Sequence, residues 1–237
     1  MSPERYARIR TMLRMRQTDL TVCMEQVHKP HNLSAVIRSC DAVGIHRIHA
    51  VWEEQDRRVR AGTSGGSHHW VEVNSHDDIG QAIGHLKAQN MQVLVTNLSD
   101  SAVDFRDVDY TRPTAIILGQ EKYGATDQAI ALADQDIVIP MVGMVQSLNV
   151  SVAAALVLYE AQRQRQIAGL YDTQQLSEEE CQRILFKGGH PILRKVCDRK
   201  GIPYPHIDEQ GQIEADEQWW QRVQMSPEAL ASLEDED

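Results

Sequence analysis

Short β-branched runs alternate along this chain with stretches of helical periodicity, and that alternation leaves few folds open. Strands are expected at residues 21–27, 47–52, 70–73, 92–96, 114–118 and 136–139. Helical patterns fall between them, near residues 32–43, 79–89, 127–133 and 148–168. Runs such as TAIIL and DIVIP lack the polar alternation of a half-exposed strand, so both of their faces are expected to be covered. Strands of this kind, alternating with helices, predict an α/β fold: a parallel sheet flanked by helices. Residues 3–16 read as a separate amphipathic helix, with Tyr6, Ile9, Met12, Leu13 and Met15 apolar and the arginines opposite. After Gly169 the pattern changes to helices at residues 177–186 and 190–200, the first opened by Ser177 and Glu180 at capping-box spacing. The expected organisation is an N-terminal basic helical arm (1–20), an α/β domain (21–170) and a C-terminal helical extension (171–237), with no internal repeat.

Bulk composition excludes several classes. No apolar stretch approaches the ~20 residues that a membrane helix requires. The first residues carry charge without an apolar core, unlike a secretory signal. Cys23, Cys40, Cys181 and Cys197 are scattered, with no C-x-x-C pair, which predicts a reduced, cytoplasmic chain. His28 with His31 and His68 with His69 lack partners at ligand spacing, so no metal is expected. The net charge of −10 argues against a generic nucleic-acid binder. Its distribution is uneven, however. Residues 1–16 carry five arginines against Glu4, and residues 208–237 carry ten acids against Arg222. The basic head is either a solvated helix face or a phosphate-contacting arm. The acidic tail reads as a solvated end.

Three constellations carry chemistry. In KPHNLSAVIRSCDAVG (29–44), Pro30 stops a strand and Asn32 is the expected helix cap. Arg38 sits six residues on in an otherwise apolar helix, where it either snorkels outward or meets a partner; Asp41 offers a simple ion pair. In LGQEKYG (118–124), Gly119 permits close backbone approach, Gly124 permits a turn, and Glu121 lies past the C-terminal end of a strand. Neither a dinucleotide fingerprint nor a P-loop is present. AGTSGGS (61–67) reads as a flexible loop or a lid. In MVGMVQSLNVSVA (141–153), Ser147, Asn149 and Ser151 alternate with Leu148, Val150 and Val152, which suggests a helix N-terminus shaped around a ligand. That helix finishes with Glu160, Arg163 and Arg165, where cations either offset the helix dipole or contact RNA phosphates.

Taken in order and with their flanks, the three motifs closely resemble those of the SpoU branch of the SPOUT RNA methyltransferases, over nearly the whole chain. The resemblance implies a deep C-terminal trefoil knot in the α/β domain, and a homodimer. Neither is legible in sequence physics, since threaded chains are rare. It implies S-adenosylmethionine as cofactor, held around Thr96, Leu118, Gly119, Ile139, Met141 and Leu148. It implies 2′-O-methylation of ribose, with Arg38 as the catalytic arginine, Asn32 its positioning partner, Glu121 organising the second motif, and Ser147 and Asn149 shaping the third. Arg5, Arg8, Arg10, Arg16, Arg163 and Arg165 are then the RNA-phosphate contacts. The arm and tail point to the subgroup acting on guanosine 18 of the tRNA D-loop rather than to ribosomal-RNA relatives with a separate N-terminal domain. Rival readings are the same chemistry on ribosomal RNA or a wobble nucleotide, a non-catalytic RNA-binding module, and a nicotinamide oxidoreductase. Retention of Arg38, Asn32, Glu121 and Asn149 argues against the second, and the missing glycine fingerprint against the third.

Overall fold

The computed structural model describes residues 1–27, 29–52, 70–120 and 122–224. In chain order the elements are α1 (Pro3–Arg14), β1 (Leu20–Glu25), α2 (Pro30–Ala42), β2 (Arg47–Val51), β3 (Glu72–His76), α3 (Ile79–Ala88), β4 (Gln92–Thr96), β5 (Val103–Asp104), β6 (Thr114–Leu118), α4 (Asp127–Leu132), β7 (Gln135–Val138) and α5 (Val150–Ile167). There follow α6 (Glu178–Gly189), α7 (Pro191–Lys200), β8 (His206–Ile207), β9 (Ile213–Glu214) and α8 (Glu217–Val223). They divide into two compact units, residues 16–173 and a second made of residues 1–15 with the chain from 174 onward. Arm and extension thus fold into one unit.

The larger unit is built on a seven-stranded sheet of order β3-β2-β1-β6-β4-β7-β5, every pair parallel. Its central strands β1, β6 and β4 are buried on both faces, as a parallel sheet covered by helices requires. Leu20, Val22 and Met24 of β1 and Ile116 and Leu118 of β6 pack with Val36, Ile37 and Cys40 of α2 and Ala154, Val157 and Leu158 of α5. The intervening residues, Cys23, Ala115 and Ile117, join Val93 and Val95 of β4 in a second cluster with Ile79, Ala82, Ile83 and Leu86 of α3. β5 is only two residues long, too short to leave a signature in the sequence.

Two arginines expected to touch RNA are structural instead. Arg165, fully buried at 0% exposure, donates to Asp19 Oδ1 (2.6 Å), Gln17 Oε1 (2.7 Å) and Tyr110 O (3.0 Å). It ties the last turn of α5 to the entry of β1. Arg16, 1% exposed, donates to Ile45 O (2.9 Å) and to Asp41 Oδ1 (2.5 Å). A buried guanidinium is stable only when its donors are met, and here they are met by protein. Asp41 is therefore the partner of Arg16, not of Arg38. Asn32 does not cap α2 either; the helix starts at Pro30, a favoured first position, and Lys29 makes no capping side-chain bond.

In the smaller unit, Ile9 and Leu13 of α1 are buried, and Arg5 Nη2 donates to Gly188 O (2.8 Å) while Arg10 Nη1 pairs with Glu178 (2.8 Å). Ser177 caps α6 by accepting from Glu180 N (3.2 Å). Phe186 packs against Tyr204 and Trp219, and Gly201, at φ 63°, ends α7 in the left-handed conformation that favours glycine. Among the described residues, no helix is long and apolar enough to cross a membrane.

Two stability predictions follow from the larger unit. Arg165→Ala strands Asp19 and Gln17, and should lower the urea unfolding free energy by about 3–5 kcal/mol; Arg163→Ala, on the surface, should leave the midpoint where it is. His49 of β2 is held neutral, its pKa pushed down to about 4 by burial and by the neighbouring His76 and His85. The unfolded chain, titrating near 6.5, then binds more protons than the folded one between these values. Stability should be full above pH 6.5 and fall as pH drops towards 4; a His49→Gln variant should show a shallower acid limb in the same pH series.

Candidate functional site

The loops that leave the C-terminal ends of β4, β6 and β7 converge on a cleft of about 480 Å³. This is the end of a parallel sheet at which ligands are bound in open α/β folds. Thr96, Gly119, Ile139, Met141 and Leu148 all line it, as does Ser147. Leu118 does not: its side chain is fully buried in the core one residue before the loop begins. Asn97, Leu98, Gln120, Lys122 and Tyr123 line the cleft as well and were not singled out from the sequence. Their one signal is position, immediately past a buried strand.

The loops are pinned by hydrogen bonds. Thr96 Oγ1 donates to Ile117 O (3.2 Å), and Asn97 Nδ2 and Ser99 Oγ donate to Asp136 Oδ2 at 2.9 and 2.6 Å. Gln120 and Gly124 exchange backbone bonds of 3.1 and 3.0 Å, closing a tight turn in which Gly124 has φ 73°. Gly119 is required for a different reason. A Cβ there would lie 2.1 Å from Ala125 N and 2.2 Å from Gly124 C. Glu25, 2% exposed at the end of β1, braces the far side by accepting from Thr126 N (3.0 Å) and Thr126 Oγ1 (2.6 Å). Glu121 lies outside the described residues.

Asn149 caps α5. Its Oδ1 accepts from Ser151 N (2.8 Å) and Ser151 Oγ (2.6 Å), while its Nδ2 donates to Asn32 Oδ1 (3.1 Å). The buried Asn32 thereby links the first motif to the third, a tie that no helix-capping rule reveals. Arg38 lies apart from this pair, on the exposed face of α2, and does not line the cleft. Among the described residues it has no ion-pair partner. The segment before α5 exposes Val142, Met144 and Val145, and α5 itself exposes Val152, Leu156 and Tyr159 at helical spacing. Lys122 Nζ stands 4.8 Å from the centroid of the Tyr123 ring, itself 70% exposed at the cleft. Of the remaining arginines, Arg163 pairs with Glu160 on the surface. Arg5 and Arg10 are engaged as described above, and Arg8 is exposed with no partner among the described residues.

A model of the SpoU rRNA Methylase family matches residues 19–159, and one described as SpoU, rRNA methylase, C-terminal matches residues 163–216. The chain is 63% identical over 226 residues to the tRNA (guanosine(18)-2'-O)-methyltransferase of Escherichia coli (strain K12), covering 94% of this chain and 99% of that one. It is similar to the crystal structure of the A. aeolicus TrmH/SpoU tRNA modifying enzyme, with a TM-score of 0.72 at 44% identity over 78% of this chain and 94% of that one. It is also similar to the SpoU methyltransferase AviRb from Streptomyces viridochromogenes in complex with AdoMet, with a TM-score of 0.56 at 29% identity over 65% and 63%.

The glycine contrast gives a direct check on the cleft. Gly119→Ala drives a methyl group into backbone and should cost about 1–3 kcal/mol in urea unfolding, as overpacking does. At Gly143 an added Cβ meets nothing within 4 Å, so Gly143→Ala should lie within about 0.5 kcal/mol of the parent.

Proposed function

This chain belongs to the SpoU rRNA methylase family, and from that premise we propose that it methylates the ribose 2′-oxygen of guanosine 18 in tRNA, with S-adenosylmethionine as donor. The observation that carries this reading is the convergence of the second and third motifs on one cleft, within a chain whose relative of that activity matches it from end to end.

The residues of the cleft fit the cofactor. Ile139, Met141 and Leu148 offer apolar walls to an adenine, Gly119 lets backbone approach it, and Thr96 and Ser147 offer hydroxyl groups at the rim. When bound, S-adenosylmethionine supplies a methyl group already activated on a sulfonium. The chain then has to align a ribose hydroxyl with that methyl and stabilise the charge that develops as its proton leaves. We assign the second task to Arg38, whose planar fork of N–H donors is suited to holding an oxyanion, with an RNA phosphate nearby as proton acceptor. Asn149 and Asn32 act as positioning residues that fix the start of α5 against α2. Glu121 is assigned the ordering of the second motif.

Arg38 is exposed on α2, away from the cleft of its own chain, and the apolar residues Val152, Leu156 and Tyr159 stand on α5, which packs beside α2. Both features favour a homodimer in which a second copy covers the apolar stripe and completes the site. The family's trefoil knot is assigned to the segments after β6 and β7. Two features support it: β6 enters the middle of the sheet between β1 and β4, and the two following loops share one cleft. Arg5, Arg8, Arg10 and Arg163 remain as phosphate contacts, with Arg8 the least committed to protein. The cytoplasm, where tRNA is available, is the proposed compartment.

Incubating the protein with labelled S-adenosylmethionine and unmodified tRNA transcript, then mapping the label, tests the substrate. Label on the ribose of guanosine 18 is expected; label confined to ribosomal RNA would overturn it. Arg38→Ala should lower single-turnover methylation by about 10³-fold, the scale of a lost oxyanion donor, while cofactor binding by calorimetry stays intact. Leu156→Glu with Tyr159→Glu should sediment as a monomer and lose activity; an active monomer would refute the shared site.

A further inference from the structure

Among the described residues, two that are not glycine have a positive φ, Asn90 at 58° and Gln26 at 53°. Asn90 follows the last turn of α3 and donates its N–H to Lys87 O (2.9 Å), an ordinary helix end for a residue type that tolerates this conformation. Gln26 is different. Its side chain is too long to make the local bond that eases a left-handed asparagine, so the surrounding structure must hold it there. Gln26 is half-buried one residue past β1, at the edge of the sheet where the cofactor cleft lies, and the reaction as described above does not use it.

Two contacts fix it. The Gln26 N–H donates to Val51 O of β2 (3.0 Å), which carries the β1–β2 ladder one step past the end of the strand. Its side chain reaches towards β6, on the opposite side of β1, where Oε1 accepts from Nε2 of Gln120 (3.1 Å) in the loop that lines the cleft. β1 and β6 are adjacent and parallel, and the helices that follow them leave to opposite faces: α2 packs in the cluster with α5, and α4 in the cluster with α3. Such divergence leaves a crevice between the two strand ends, the switch point of an open α/β sheet. The Gln26–Gln120 bond bridges it. Next in the chain, Glu25 holds Thr126, so the loop from Gly119 to Ala125 is gripped near both ends by consecutive residues of one segment. Asn32, six residues on, holds the third motif through Asn149. The β1–α2 segment thus secures two walls of the cleft, each through one amide pair.

We propose that Gln26 is a positioning residue for methyl transfer: its left-handed backbone aims the side-chain amide at Gln120, and that bond fixes the β6 loop of the cofactor cleft, and with it the direction of the methyl donor, against the sheet. The inference rests on the methyltransferase reading given above. Gln26 acts through Gln120. A displacement of about 1 Å between reacting groups can cost about 10²-fold in rate, so a single bond that sets the loop's place has leverage on turnover out of proportion to its strength. Backbone strain of this kind gathers at functional sites, where the surrounding structure sustains it.

The test sets steady-state methylation of unmodified tRNA transcript by the full-length protein beside thermal melting. Gln26→Gly removes the amide and relieves the backbone, so the melting temperature should hold or rise. The same variant should lose about tenfold or more in kcat, with the KM for tRNA unchanged, the mark of an interaction that serves the transition state. A residue that served only the fold would lose stability and activity together. Gln26→Glu keeps an acceptor for Gln120 and should keep most of the turnover. Joining Gln26→Gly to Gln120→Leu should lower kcat no further than the poorer single variant, since both break one bond. Parent-like kcat in Gln26→Gly overturns the proposal, as does a fall matched by a lower melting temperature, an equal loss in Gln26→Glu, or losses that multiply in the double variant. A parent protein that methylates no RNA overturns the methyltransferase reading, and this inference with it.

Discussion

The orientation of α5 is the constraint on which the site depends, and it is set by polar contacts at both ends of the helix. At its last turn, Arg165 is enclosed by Asp19, Gln17 and Tyr110 O, all from the segments that enter β1 and β6. At its first turn, Asn149 caps the helix with one side-chain atom and reaches Asn32 of α2 with the other. Between them Ala154, Val157, Leu158 and Ala161 provide the apolar contact that drives association, but such contact is non-directional. The hydrogen bonds at the termini supply the register. A small rotation of α5 would break both and move Ser147 and Leu148 away from the cleft.

The cleft extends the same logic to loops. Three strands that end side by side leave their backbone groups without sheet partners, and each loop satisfies its own by a different device. The β4 loop hangs on Asp136, the β6 loop closes on itself through Gln120 and Gly124, and the β7 loop ends in the Asn149 cap. Glu25 adds a buried carboxylate whose two oxygens are met by Thr126, so the β1 end holds the start of α4 as well. Rigid loops of this kind hold polar rim groups in place before a ligand arrives, which lowers the ordering cost of binding.

Much of this architecture was legible in the sequence because burial on two faces leaves a local mark. Residues 92–96 and 114–118 were read with the strand boundaries that β4 and β6 have, and the helices after them shifted by a residue or two. β5 was not legible, since two residues carry no period. Arg16 and Arg165 were misjudged because a sequence displays charge but not enclosure. Both are surrounded by acceptors from segments distant in the chain, and nothing within a helical window distinguishes them from Arg163. Asn32 was misjudged in the other direction. Its residue type suggested a local cap, whereas its partner is Asn149, 117 residues away. Of the cleft-lining set, Thr96, Gly119, Ile139, Met141 and Leu148 came from resemblance to a family, not from periodicity, and Tyr123 and Lys122 were hidden by their ordinary loop setting.

Arg38 presents the sharpest chemical question. A base must give up a proton before it can take one, and a guanidinium with no buried, cation-repelling surroundings holds its proton at any physiological pH. A cation that keeps its charge does suit an oxygen that gains one, provided water is excluded when the two meet. Among the described residues, Arg38 stands exposed. Exclusion must come from whatever docks there, and RNA with a second copy of the chain would supply both a low-dielectric cover and a phosphate to receive the proton. On the proposed reading the site would be incomplete in one chain, and the arginine would acquire its full electrostatic strength only once substrate and a second copy had closed around it.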